Sequence, residues 1–270
     1  MRCLLKDYNS FMKSSLCQLT DRIIYEDGSI LVIDKPPHLV VGPAESVKEK
    51  TLADILQKDF NINLFRGGIV HRLDKDTSGL ILIAKTQAAL ENLQSQFKKR
   101  IVKKEYLALV HGFMEKQGKV EGAITRNPKN REKFMVEESG NGKEALTEYE
   151  SMKRLQFTDD RLQEIFPDFN KIQMRKLERQ RYREFTLILC KPKTGRTHQI
   201  RVHLKYINHP IVADEKYAGR KMVRLDKRWC PRVSLHAVRI GFRHPETNEW
   251  MKLESPLPED LKKAIENLDL

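Results

Sequence analysis

The feature of this 270-residue sequence that most constrains its fold is an apolar run, GLILIAKT, at residues 79–86. A run of this length with almost no polar residue is typical of a strand that is buried on both faces. The segment that follows, residues 86–100, begins with a possible helix cap at Thr86 and repeats apolar residues at helical spacing. A doubly buried strand next to an amphipathic helix predicts a sheet flanked by helices.

Further segments have the apolar patterns of strands. They are residues 29–37, 103–112, 144–152, 184–192, 233–242 and 249–256. Helices are predicted at residues 197–207 and directly after Pro258, where two acids occupy the first turn. Because helices alternate irregularly with antiparallel-type strands, the sequence predicts an α+β fold with a mixed, mostly antiparallel central sheet.

The chain contains no repeat of 20 to 50 residues, and we expect one domain at 23–270 after an N-terminal extension at 1–22. Asparagine, proline, glycine and charged residues at 126–145 predict an exposed loop. An insertion at about 157–185 contains six bases after Asn170. This segment is either a basic helix that contacts a nucleic acid or a solvated insertion.

The charge balance bears on the partner, because 50 lysines and arginines against 37 acids give a net charge of +13. This favours a polyanion such as nucleic acid, although a basic soluble protein explains it equally well. Four scattered cysteines form neither a CxxC pair nor a disulfide framework, and the apolar runs are too short to cross a membrane. His198 and His203 lack the i, i+4 spacing of a helical metal pair. We therefore expect a cytoplasmic protein with no metal site and no membrane contact.

One carboxylate stands out in HRLDKDTSG, at residues 71–79, where Asp74 lies between Arg72 and Lys75. It is either a member of a surface ion pair, which usually stabilises a protein little, or an acid kept ionised for chemistry. An ionised and oriented aspartate can act as a nucleophile or as a general base.

A possible partner for this acid lies in the predicted helix at 197–207. Helical spacing puts His198, Arg201 and Lys205 on one face of that helix, opposite an apolar face. An arginine fork can hold a carboxylate with two hydrogen bonds and keep it ionised. We therefore expect Arg201 within hydrogen-bonding distance of Asp74, about 2.7–3.2 Å.

Five sequence blocks, in this order, resemble the RluA family of pseudouridine synthases. The blocks are HRLDKDTSGLILIAKT, KKEYLALVHG, GRTHQIRVHL, HPIVADEKYAG and SLHAVRIGFRHPETNEW. The resemblance extends from IIYEDGSILVIDKPP to the C-terminus. It implies a pseudouridine synthase fold with a central RNA-binding cleft. It also implies an enzyme that converts uridine in RNA to pseudouridine without a cofactor.

The resemblance also implies roles for individual residues. Asp74 corresponds to the catalytic aspartate, Tyr106 to the aromatic residue that packs on the target uracil, and Arg201 to the arginine paired with the aspartate. Arg72 corresponds to the residue that enters the base stack when the target nucleotide flips out. Leu235 corresponds to an apolar residue that lines the pocket.

His198 and Lys205 are further expected RNA contacts, beside Arg201 on the predicted helix. By pattern alone these assignments have simpler alternatives. Tyr106 fits a core or cross-strand residue, Arg72 an ordinary phosphate contact, and Arg201 a helix-surface base.

The sequence departs from the family pattern after the first predicted strand. In KPPHLVVGP, His38 stands where the family has glycine, and Gly42 stands where the family has a histidine. The residues before IIYEDGS are too few for the small S4 RNA-binding domain of many relatives, so we expect a member without it.

The expected partner is structured RNA, with large-subunit ribosomal RNA as the first substrate and transfer RNA as the alternative. No sequence pattern bears on the oligomeric state, and a monomer is the default expectation. Two rivals are an aspartyl-phosphate hydrolase and a catalytically silent RNA-binding relative. The first lacks a downstream phosphate-binding lysine, and the second is disfavoured because Asp74, Tyr106 and Arg201 are all present.

Overall fold

The computed structural model describes residues 19–42, 50–137, 142–180 and 182–268. Within these ranges it contains eleven strands and seven α-helices. The strands are β1 Ile23–Glu26, β2 Ile30–Lys35, β3 Ser78–Ala84, β4 Lys103–His111, β5 Gln117–Glu121, β6 Ala123–Arg126, β7 Phe134–Glu137, β8 Leu146–Gln156, β9 Glu184–Pro192, β10 Leu235–Arg243 and β11 Trp250–Glu254. The helices are α1 Leu52–Asp59, α2 Gln87–Lys98, α3 Asp159–Ile165, α4 Lys171–Arg179, α5 Gln199–Tyr206, α6 Arg220–Asp226 and α7 Glu259–Glu266. The predicted α+β class is confirmed.

The described residues divide into two compact units, the first of which comprises residues 19–42, 50–103 and 239–255. Its strands β1, β2 and β3 pair antiparallel in sequence order, and β11 pairs antiparallel with β10. Every residue of β3 is buried, as the apolar run predicts. Helix α2 begins after Thr86, whose hydroxyl accepts a hydrogen bond from Ala89 N at 3.2 Å, and it packs Leu90 and Leu93 into the same core.

The second unit comprises the described residues within 104–238 and 256–268. Its strands follow the order β4, β9, β8, β5, and all three pairings are antiparallel. A buried cluster of this unit combines leucines with aromatic side chains, among them Phe157, Phe166, Phe185 and Trp229. The division of the chain falls between residues 238 and 239, within strand β10.

Three sequence predictions need correction in the second unit. The predicted loop at 126–145 contains strand β7, which pairs with β6 in a two-stranded sheet. The predicted helix at 197–207 begins only at Gln199, because His198 has a left-handed backbone with φ of 56° that cannot continue a helix. The predicted strand at 144–152 continues to Gln156 in β8, since its pairing with β9 extends across a bulge.

The insertion at 157–185 is not a loosely attached appendage. It forms helices α3 and α4, and its residues Leu162, Phe166, Leu177 and Tyr182 join the buried cluster of the second unit. Tyr182 donates a hydrogen bond to Asp226 Oδ1 at 2.8 Å and accepts one from Trp229 Nε1 at 3.1 Å. The insertion is therefore held by core packing and by buried hydrogen bonds.

Two of the four cysteines, Cys190 and Cys230, are free and buried, and burial raises the pKa of each thiol to about 12. Cys3 and Cys17 lie outside the described residues. Across those residues no helix combines the length and apolar character needed to cross a membrane. The same part of the chain contains no cluster of three or more histidine, cysteine or acidic residues suited to a metal ion.

Candidate active site

A buried lysine anchors the turn that carries Asp74. The turn lies directly before β3 and is closed by Thr77 N, which donates to the Asp74 carbonyl at 3.2 Å. Lys35, the last residue of β2, is completely buried. Its ammonium group donates to the carbonyl oxygens of Pro36, Leu39 and Lys75, at 2.8, 3.0 and 3.1 Å. Because Lys75 follows Asp74, these bonds tie the Asp74 turn to β2.

Replacing Lys35 with methionine tests this anchor. Methionine preserves an unbranched stem but leaves three carbonyl groups without this donor, each at a cost of about 1–3 kcal/mol if no water replaces it. We expect a lower melting temperature and faster amide hydrogen exchange in residues 72–78. Lys75→Met is the matched control, because the anchor uses only the backbone of that residue. Equal stability of the Lys35 variant and the wild type would contradict this role.

His38, which stands where the family has glycine, contacts the same turn. His38 has φ of 66°, in the left-handed region that suits the glycine expected by resemblance. Its Nδ1 lies 3.0 Å from Asp76 Oδ1, so the side chain contacts the Asp74 turn. Arg72 is exposed, whereas the next residue, Leu73, is buried and fixes the backbone between Arg72 and Asp74.

Arg201 is held by an acid that the sequence patterns did not single out. It lies on α5 and is only 5% exposed, so it is not the helix-surface base that helical spacing indicated. Its Nε donates to Asp214 Oδ2 at 2.8 Å and its Nη2 donates to Asp214 Oδ1 at 2.7 Å. Asp214 is completely buried. This two-bond geometry fixes the plane and direction of the guanidinium group.

Tyr217 and His198 complete this cluster. The Arg201 guanidinium carbon lies 5.2 Å from the centre of the Tyr217 ring, and the Tyr217 hydroxyl lies 2.8 Å from His198 Nδ1. The backbone N–H groups of Lys216 and Tyr217 donate to Asp214 Oδ1 at 3.0 and 3.2 Å, so the carboxylate also orders its own turn. Asp214 and Tyr217 both belong to the block HPIVADEKYAG. The acid and the aromatic residue in that block are the sequence signal that could have identified the partners of Arg201.

Tyr106 lies on β4 opposite Cys190 of β9 and is 9% exposed. Strand alternation places Lys104 on the same face of β4. A Cβ atom at Gly195 would lie 3.6 Å from Lys104 Nζ, so the loop before α5 reaches this lysine. Burial lowers the pKa of Lys104. The β4 face that carries Tyr106 and the loop that leads to Arg201 are therefore neighbours within the second unit.

The remaining predicted RNA contacts, Leu235 and Lys205, differ in their exposure to solvent. Leu235, at the start of β10, is 4% exposed, and its neighbour Ser234 accepts a hydrogen bond from Leu109 N of β4 at 3.2 Å. Lys205 is exposed on α5, unlike Arg201 on the same helix. The second unit thus contains Tyr106, Arg201, His198, Lys205 and Leu235, and the first contains Asp74 and Arg72. The pairing of Asp74 with Arg201 stays a prediction.

Residues 29–206 match the family model described as RNA pseudouridylate synthase. The uncharacterized RNA pseudouridine synthase YlyB of Bacillus subtilis is 38% identical over 91% of this chain and 72% of its own length. A protein of Neisseria meningitidis serogroup B named ribosomal large subunit pseudouridine synthase D is 36% identical over 92% of this chain. This chain spans 61% of the Neisseria protein.

A solved structure, Human RNA Pseudouridylate Synthase Domain Containing 1, has the same fold with a TM-score of 0.65 and 28% sequence identity. The similarity covers 87% of this chain and 82% of the human one. The family match includes the Asp74 turn, strand β4 and helix α5, which are the elements that carry the candidate catalytic residues. The chain belongs to the RNA pseudouridine synthases, the isomerases that convert uridine in RNA to pseudouridine.

Proposed function

We propose that this protein isomerises specific uridines in structured RNA, and that large-subunit ribosomal RNA is its substrate. The ribosomal substrate is supported by the similarity to relatives named ribosomal large subunit pseudouridine synthase D, at 36% to 38% identity. The catalytic assignment is supported by one observation above all. Asp74 stands on a turn that a buried lysine anchors, in the position where the family resemblance requires its aspartate.

The target uridine has to leave its base stack before it can react. Flipping a nucleotide costs about a few kcal/mol, and stacking on an aromatic side chain offsets part of that cost. In this proposal the flipped uracil packs on Tyr106, and Leu235 lines the apolar side of the pocket. Arg72 occupies the gap in the RNA, while His198 and Lys205 contact the phosphate backbone.

The reaction breaks the bond between N1 of uracil and C1′ of the ribose and forms a bond between C5 and C1′. C5 loses its hydrogen as a proton, and N1 gains a proton, so the product is an isomer of the substrate. Asp74 either attacks C1′ as a nucleophile or removes a sugar proton to give a glycal-like intermediate. Arg201, oriented by Asp214, pairs with the Asp74 carboxylate and directs it at the sugar. Neither route consumes a cofactor.

The loss of the C5 proton supplies the assay. Transcripts of large-subunit ribosomal RNA and of transfer RNA, labelled with tritium at C5 of uracil, are incubated with the purified protein. We expect tritium release from the ribosomal transcript. Release from the transfer RNA alone would replace the proposed substrate by the alternative. Tight binding of either RNA without release would contradict catalysis and favour the silent RNA-binding relative.

Substitution of Tyr106 tests the stacking role. Phenylalanine preserves the ring, whereas alanine removes a base stack worth about 1–3 kcal/mol, or roughly 10- to 100-fold in rate. We expect Tyr106→Phe to bind RNA with the wild-type affinity and to form pseudouridine at a rate much closer to wild type than Tyr106→Ala. Melting temperatures of both variants separate this effect from loss of core packing. Equal losses of activity in the two variants would exclude stacking as the main contribution of Tyr106.

A further inference from the structure

Helix α4, Lys171–Arg179, has a fixed orientation on the second unit. A capping box closes its N-terminus, in which Asn170 Oδ1 accepts from Gln173 N at 3.0 Å and Gln173 Oε1 accepts from Asn170 N at 2.8 Å. Leu177 is 3% exposed in the buried cluster, and Met174 packs against it. One face of α4 is therefore committed to the core.

The opposite face of α4 carries a basic arc, which we define as Lys171, Ile172, Arg175, Lys176 and Arg179. At about 100° per residue these five positions span about 140° of the helix, centred opposite the Met174–Leu177 face. All five side chains are exposed, and Ile172 is 77% exposed. The arc thus places four cations around an apolar side chain on a rigid support.

The acids near the basic arc are engaged elsewhere. Glu178 lies 3.5 Å from Arg183, and Asp168 accepts two hydrogen bonds from Arg228, which lower the pKa of Asp168 to about 2. In the part of the chain that the structure describes, no carboxylate forms an ion pair with a cation of the arc. By contrast, other exposed lysines of the same unit, such as Lys119 and Lys227, have acidic partners.

We propose that the basic arc binds the phosphate backbone of the RNA substrate, outside the target nucleotide. The arc is about 12 Å long, and a double helix presents roughly one phosphate charge per 1.7 Å of its axis, so four cations can neutralise several phosphates at once. This inference rests on the proposed function and assigns the 157–185 insertion to substrate binding rather than to chemistry. Of the two interpretations that the sequence left open for this segment, it favours a basic helix that contacts nucleic acid over a solvated insertion.

The test neutralises the arc in the full chain with K171Q/R175Q/K176Q/R179Q. The matched control, K119Q/K227Q/K262Q/K263Q, removes the same charge from exposed lysines that have acidic partners. RNA affinity is measured across a salt series, and the pseudouridine yield is measured at saturating RNA. For the arc variant we expect at least about tenfold weaker binding near 0.15 M salt and a logarithmic salt slope smaller by about 3. The control is expected to stay within about twofold of wild type, and kcat is expected to be unchanged in both.

Two pairwise variants, K171Q/R175Q and K176Q/R179Q, are each expected to give about half of the change in salt slope, and thermal melting verifies the fold of all variants. Equal weakening in the arc variant and the control would overturn the proposal, as would unaltered RNA binding. Loss of binding to polyglutamate combined with unchanged RNA binding would assign the arc to an acidic protein instead. Failure of the wild type to modify any RNA would contradict the proposed function, whereas the binding comparison would still decide the role of the arc.

Discussion

Asp74→Asn is expected to lower the rate of pseudouridine formation by about 10³-fold or more, since either route requires the carboxylate as a nucleophile or as a base. Asparagine has nearly the same size and shape, so the anchored turn should persist. RNA affinity is expected to stay within about threefold of wild type, because phosphate contacts supply most of the binding free energy. Single-turnover assays with excess enzyme separate the chemical step from binding.

Asp76→Asn is the matched control for this variant. Asp76 lies two residues further along the same turn, and its pairing with His38 is exposed, so its contribution to stability is small. We expect this variant to be active. An active Asp74→Asn variant would disprove the catalytic assignment, and an inactive Asp76→Asn variant would mean that the turn tolerates no change in charge.

Asp214→Ala is expected to have the largest effect on stability. Arg201 and Asp214 are both buried, and breaking a buried ion pair by removal of one partner costs about 3–5 kcal/mol, because the remaining charge loses two hydrogen bonds inside the protein. For a chain of this size, the melting temperature should fall on the order of 10 °C. Activity should fall as well, because Asp214 directs the guanidinium group that we propose to pair with Asp74.

A double variant separates the two consequences. Arg201→Met combined with Asp214→Leu removes both charges and fills their space with apolar atoms, an exchange that is often neutral for stability. We expect its melting temperature to return most of the way to that of the wild type while activity stays lost. Recovery of activity in the double variant would show that Arg201 has no part in catalysis. A stable Asp214→Ala variant would show that the buried pair contributes little to the fold.

Local patterns were sufficient for the elements that carry Asp74 and Tyr106. The apolar run before Lys85 and the hydroxyl of Thr86 indicate a buried strand and the start of the next helix from consecutive residues alone. For the same reason, the alternation around Tyr106 correctly predicts β4. These features depend on side-chain spacing and on capping, both of which can be read from consecutive residues.

Long-range contacts decided the features that the patterns missed. Helical spacing alone makes Arg201 a surface base, but the turn that brings Asp214 beneath it buries the arginine in an ion pair. A left-handed backbone at His198 delays the start of the predicted helix to Gln199, and this conformation is uncommon enough outside glycine that the sequence alone did not single out His198. The insertion packs on the core through Tyr182 and Asp226, which are 44 residues apart in the sequence.

The central claim, that this protein makes pseudouridine in RNA with Asp74, is tested most directly by mapping pseudouridines across total RNA. The map is compared among cells with the gene, cells without it, and deleted cells that carry the wild type or Asp74→Asn. We predict at least one site in large-subunit ribosomal RNA that disappears on deletion and returns with the wild type but not with the variant. An unchanged map after deletion, or a site restored by Asp74→Asn, would contradict the claim.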